Sequence, residues 1–172
     1  MAYADLNTIQ TTDPGDPLSA AWCDQVRDND EFFRDPPACS VYNSAAVASA
    51  DNVPILLLAN SETYDNDSMH STSSNTHRLT CQTPGRYLLT ASVSWATNAT
   101  SNRAIEFSVN GSTLPGGTLL PSSGSTNSTA LVLTRTLVLA ANDWVAVLAT
   151  QRSGGNLNVT LSEFAAVLLT LT

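Results

Sequence analysis

The chain has 172 residues, enough for one domain with a substantial core, and 42% of them are apolar. Its net charge is −8, it contains no lysine, and its seven basic residues are scattered arginines. That composition argues against nucleic acid as a partner, because phosphate binding needs clustered Lys and Arg.

The acidity lies early in the chain: residues 1–40 carry −6, residues 41–82 carry −3 and residues 83–172 carry +1. Residues 1–17 form a polar arm broken by "DPGDP". The arm has neither the basic nor the apolar region of a signal peptide, so synthesis in a cytoplasm is expected. No apolar run reaches the length of a membrane span, so no membrane partner is expected. Asp16-Pro17 supplies a helix start, and from there Leu18, Trp22, Val26 and Phe33 line one face, with Asn29 among them. Asp24, Arg27, Asp28, Asp30, Glu31 and Arg34 point elsewhere, and Arg27–Glu31 and Asp30–Arg34 stand four apart with opposite charge. Pro36-Pro37 ends the helix. The stripe, with Phe32 beside it, has to lie on something. A sandwich closed by its own two sheets needs no helical cover, so Leu18, Trp22, Val26, Phe32 and Phe33 are read as an attachment interface. The alternative is a helix folded back on its own domain.

Beyond Pro37 the period changes to two. Segments 40–49 and 53–59 read as early strands. Tyr87, Leu89, Ala91, Val93 and Trp95 share one face of the next, with mostly Ser and Thr on the other. "IEFSV" (105–109) alternates likewise and runs into Asn110-Gly111, a hairpin signal. Leu131, Leu133, Leu137 and Leu139 continue the pattern, followed by Trp144, Ala146 and Leu148, and by Leu157, Val159 and Leu161. "FAAVLLTLT" (164–172) is apolar on both faces and reads as a strand covered on both sides. The fold class expected is all-β, an antiparallel sandwich or jelly roll of eight to ten strands preceded by an extended arm and one short amphipathic helix. The expected domains are residues 1–37 and residues 38–172.

Candidate chemistry is sparse. Asp65 and Asp67, with Asn66 and His70 in "YDNDSMH", offer oxygen ligands for Ca²⁺. The loop lacks the Gly and terminal Glu of an EF-hand, and Asx turns explain it more simply. His70 and His77 stand seven apart with no nucleophile to activate, and Glu106 and Glu163 fall in strands. No enzyme activity and no cofactor are expected. Cys23, Cys39 and Cys81 make no disulfide framework or zinc pattern, and Cys39 and Cys81 read as buried thiols. The five sequons, at Asn66, Asn98, Asn110, Asn127 and Asn158, read as Asn- and Thr-rich loops.

In this order and spacing, "TPGRYLLTASVSWA" (83–96), "RAIEFSVNGST" (103–113), "LTRTLVLAANDWVAVLA" (133–149) and "SEFAAVLL" (162–169) resemble the C1q/TNF-like jelly roll. The resembling features are a Gly-x-Tyr opening a core strand, a strand ending in Asn-Gly, a leucine strand with turn, Asp, aromatic and Val, and a closing Ser-x-Phe. Asn142-Asp143 stands where that family often has Gly-Asp. The resemblance spans about residues 39–172. It implies a homotrimer built through one sheet, with Tyr87, Trp95, Phe107, Trp144 and Phe164 on the trimer or core face. More narrowly, "AAWCDQVRDNDEFFRDPP" (20–37) followed by residues 62–95 is similar to a cassette of tailed-bacteriophage virion proteins. This implies a capsid decoration protein on the outer virion surface, with the major capsid protein or tail proteins as partners. The alternative is a minor tail or fibre protein, or an adhesin tip whose distal loops bind host surface glycan.

Overall fold

The computed structural model describes residues 20–121 and 127–171. The chain divides into two compact units, Met1–Pro37 and Ala38–Thr172.

In the first unit the described element is helix α1, Ala20–Arg34. Leu18, the polar arm and the Asp16-Pro17 helix start lie outside the described residues. The helix closes with the Asp35 N–H donating to the Glu31 carbonyl at 3.0 Å, just before Pro36 and Pro37, which cannot continue it. The Arg34–Asp30 pair forms at 2.9 Å. Arg27 turns instead to Asp24 at 3.0 Å and Asp28 at 3.2 Å. All of these groups are largely exposed, so the pairs add only a few tenths of a kcal/mol each.

The second unit is an antiparallel sandwich of twelve strands among the described residues, numbered along the chain. One sheet runs β10 (Thr129–Leu139), β6 (Gly85–Trp95), β12 (Leu157–Leu171), β1 (Ala38–Asn43) and β4 (Ser61–Asp65), with β2 (Val47–Ser49) also on β12. The other runs β3 (Ile55–Leu56), β11 (Trp144–Gln151), β7 (Asn102–Val109) and β8 (Ser112–Thr113). In this sheet β5 (Arg78–Thr80) also lies on β11, and β9 (Thr118–Pro121) on β7. The core fills the space between the sheets. Tyr87, Leu89, Ala91, Val93 and Trp95 of β6 are wholly buried, opposite Ile105, Phe107, Val145 and Val147. The Phe107 and Phe164 rings meet with centroids 5.6 Å apart.

Two expectations about phase are corrected. In β11 the inward residues are Val145, Val147, Ala149 and Gln151, paired with Val109, Phe107, Ile105 and Arg103. Trp144, Ala146 and Leu148 therefore take the outward phase. "WVAVLA" is apolar in both phases, so alternation alone could not choose. In β12, Val159 pairs with Trp95 but Leu161 with Ser94, and the extra residue Thr160 makes a β-bulge. Leu157 and Val159 face the core, Leu161 is turned out, and Ser162, Phe164, Ala166 and Leu168 resume the inward phase.

One buried charge is held mainly by backbone carbonyls, with the Asn98 side-chain oxygen accepting from it as well at 3.3 Å. The Arg103 guanidinium donates to the carbonyl oxygens of Asn102 at 2.9 Å, Thr100 at 3.0 Å and Asn98 at 3.4 Å, tying down the loop between β6 and β7. Burial lowers its pKa from the ordinary arginine value.

Candidate self-association and attachment surfaces

The helix presents its candidate residues unevenly. Asn29 and Phe32 are its buried residues, and Trp22 and Gln25 are half-buried, all three or four apart. Val26 is exposed, and Phe33 is 69% exposed despite its ring meeting Phe32 edge-on at 6.1 Å. The sheltered stripe is thus turned by roughly half a residue step from the one read off the sequence. Phe33 is an aromatic side chain facing outward.

Asp65 and Asp67 organise a loop. The Asp65 carboxylate accepts from the backbone N–H groups of His70 at 2.8 Å, Met69 at 3.0 Å and Asp67 at 3.3 Å. Asp67 accepts from the Thr83 hydroxyl at 3.2 Å and N–H at 3.3 Å, while burial raises its pKa from the usual carboxylate value. Their oxygens are engaged as turn acceptors. His70 lies between two acceptors, Glu62 Oε1 at 2.8 Å from Nδ1 and the Thr76 carbonyl at 3.2 Å from Nε2, and it braces the same loop. His77 instead stands edge-on to Trp144 at 5.9 Å, and burial lowers its pKa.

Of the aromatic residues expected on the trimer or core face, Tyr87, Trp95, Phe107 and Phe164 are buried between the sheets of a single chain. The Tyr87 hydroxyl donates to the Thr83 carbonyl at 2.6 Å. Trp144 is half-buried on the outward side of its sheet, where the Arg78 guanidinium lies 5.3 Å from the ring centroid. Cys39 and Cys81 are buried free thiols, and desolvation raises the pKa of each, whereas Cys23 is exposed.

The outward face of the β10–β6–β12–β1–β4 sheet is built from other residues. Cross-strand register sets them in rows. Thr136, Leu88, Val167 and Ala38 form one row, Thr134, Thr90, Ala165 and Ser40 the next, and Val132, Ser92, Glu163 and Tyr42 a third. The first two rows carry no charge, although Ala38 and Ser40 in them are buried; the flanking rows carry Glu163 on one side and Arg86, between Val138 and Thr170, on the other. Val132 and Val138 are each 60% exposed. On this face Ala165 and Val167 of β12 are half-buried while Glu163 and Leu169 are exposed, so the strand expected to be covered on both faces is covered fully on one and partly on the other. The sequence marks this strand as apolar in both phases, but only the register shows which of its residues stand beside Leu88 and Thr90.

No family model matches the chain, and no curated protein matches it. Solved structures do. The globular domain of zebrafish complement 1qA protein is 17% identical with a TM-score of 0.60, covering 79% of this chain and 99% of that one. Murine APRIL, crystallised at pH 8.0, is 14% identical with a TM-score of 0.57, covering 77% of this chain and 98% of that one. Eiger TNF from S. frugiperda is 16% identical with a TM-score of 0.50, covering 79% and 95%. With its two antiparallel sheets and strand order, the chain has a C1q/TNF-like jelly-roll fold preceded by a helix.

Proposed function

We propose that this protein is a structural component of a tailed-phage virion: a homotrimeric decoration protein of the outer capsid, held there by residues 1–37. The observation that carries self-association is the outward face of the β10–β6–β12–β1–β4 sheet, where two uncharged rows lie between rows that hold exposed Val132 and Val138 together with Glu163 and Arg86. The C1q/TNF-like fold supports three copies as the number. Attachment through residues 1–37 is supported by their division from the sandwich as a separate unit and by the acidic helix with Phe33 facing outward. Three arms on one trimer raise each other's effective concentration, so that individually weak contacts hold firmly. An acidic arm suits a basic or mixed acceptor surface on capsid protein and is repelled by packaged DNA, which favours an outer position.

A non-catalytic role agrees with the placement of the ionisable groups. Glu106 and Glu163 lie on outward faces of opposite sheets, and the His70 ring is engaged by Glu62 and Thr76. The test is the copy number of the chain per purified particle, by quantitative mass spectrometry against the major shell protein. A number scaling with the shell supports decoration. A handful of copies would move the chain to the tail, and absence from the particle would overturn the virion reading.

A further inference from the structure

The outward face of the other sheet holds a cleft of about 300 Å³, at the small end of the range for ligand sites. It exists because small residues meet there. Ala104 and Thr150 are directly paired in the two central strands, and Leu119 stands beyond Ala104 on β9. Gly117 lets the chain entering β9 pass close over Glu106, where a Cβ would stand 2.4 Å from Glu106 Cγ and 2.6 Å from the Ile105 carbonyl oxygen. One wall is fixed by the Arg152 Nε–H donating to Asn52 Oδ1 at 3.0 Å. That bond leaves the two Nη amino groups of Arg152 to other acceptors.

The chemistry of the lining is selective. Glu106, Asn102 and Thr150 are half-buried and line this one depression. Their carboxylate, amide and hydroxyl groups have no hydrogen-bond or ion-pair partner among the described residues, so they are open to a ligand. A carboxylate on the floor disfavours an anion. The lining is an even mix of polar and apolar surface, which disfavours a lipid or a wholly aromatic ligand. An acceptor, a two-way amide, a hydroxyl and a guanidinium around short apolar strips from Pro54, Ala104 and Leu119 match a molecule with donor-and-acceptor hydroxyls on an apolar ring edge.

We propose that this cleft is a saccharide-binding site, in which Glu106 accepts from adjacent ring hydroxyls, Asn102 and Thr150 bond their neighbours, and Arg152 closes over the open side. The site lies on the sheet opposite the proposed self-association face, and the inference does not depend on how copies assemble or on what particle carries them.

The test is an amide-shift titration of the ¹⁵N-labelled full chain with D-glucose, D-galactose and N-acetyl-D-glucosamine. At least one of the three is expected to give saturable shifts centred on Asn102, Ala104 and Thr150. Glu106→Gln should weaken that binding by about tenfold or more at an unchanged melting temperature, since it removes a charged hydrogen-bond acceptor. Ala104→Leu, which fills the floor from the solvent side, should abolish it. The proposal is overturned if none of the three sugars gives saturable shifts, if the shifts centre elsewhere, or if both variants bind as the parent does.

Discussion

At Gly85 a methyl group would stand 2.4 Å from both Leu168 Cδ1 and the Thr170 carbonyl oxygen, and the second of these is backbone that cannot swing aside. This gives the Gly-x-Tyr motif a physical meaning: the glycine admits the irregular end of β12, and Tyr87 two residues on fills the core and anchors Thr83. Gly85→Ala should therefore lower stability by about 2–3 kcal/mol in urea or thermal unfolding, as overpacking against backbone does. At Asp143 the carboxylate accepts from the Asn110 side-chain amide at 2.7 Å and the Ala140 N–H at 2.8 Å, and these bonds hold its pKa below the usual carboxylate value. A depressed carboxylate stabilises the fold above its unfolded pKa, near 4, and that stabilisation is lost as pH falls through the lower folded value. Asp67, with its pKa raised by burial, works in the opposite sense. Below about pH 4 the parent should therefore lose stability more steeply than Asp143→Asn, which lacks the titration, when melting temperatures are compared across pH. Equal slopes would remove Asp143 from the account of the turn. The left-handed Asn142, at φ 71°, shows why asparagine serves there in place of glycine.

Among the elements, β6 was the most legible, because "YLLTASVSW" alternates cleanly and its inward residues are fully buried. The jelly-roll class followed from strand spacing and the order of motifs. Where the reading failed, the pattern was degenerate or too short. β11 is apolar in both phases, and the β12 bulge at Thr160 moves Leu161 outward without leaving any mark in the alternation. β4 ("SETYD") pairs only with β1 and is mostly exposed, so it carries no hydrophobic signal, and β5 and β9 are only three and four residues long. The helix was legible as an element, but its sheltered stripe includes Asn29 and Phe32 while Phe33 faces out. From that exposure, Phe33→Asp should leave the melting temperature of the chain within about 2 °C of the parent, the range of a neutral surface change, while weakening attachment to particles in a sedimentation pull-down. Removal of residues 1–37 should likewise leave a body with unchanged strand content by circular dichroism that no longer attaches. Loss of the folded body would instead give the helix a structural role in it.

For the whole molecule, the two outward sheet faces differ in chemistry. One carries uncharged, partly apolar rows centred on β12, and the other carries the polar cleft around Glu106. The candidate surface for copies of the chain could not be reached by listing aromatic residues, because four of the five named aromatics are spent on the interior of one chain. It emerges only once register places Leu88 beside Val167 and Thr90 beside Ala165. Val167→Asp puts a charge at the centre of the uncharged rows without touching the inward core. It should leave strand content unchanged and abolish self-association.

Sedimentation equilibrium of the purified full chain at micromolar concentration tests the proposed assembly most directly. A single species of three chain masses is expected, reduced to one chain mass in Val167→Asp. A parent protein that sediments as one chain mass, or a Val167→Asp variant that still assembles as the parent does, would contradict self-association through this face.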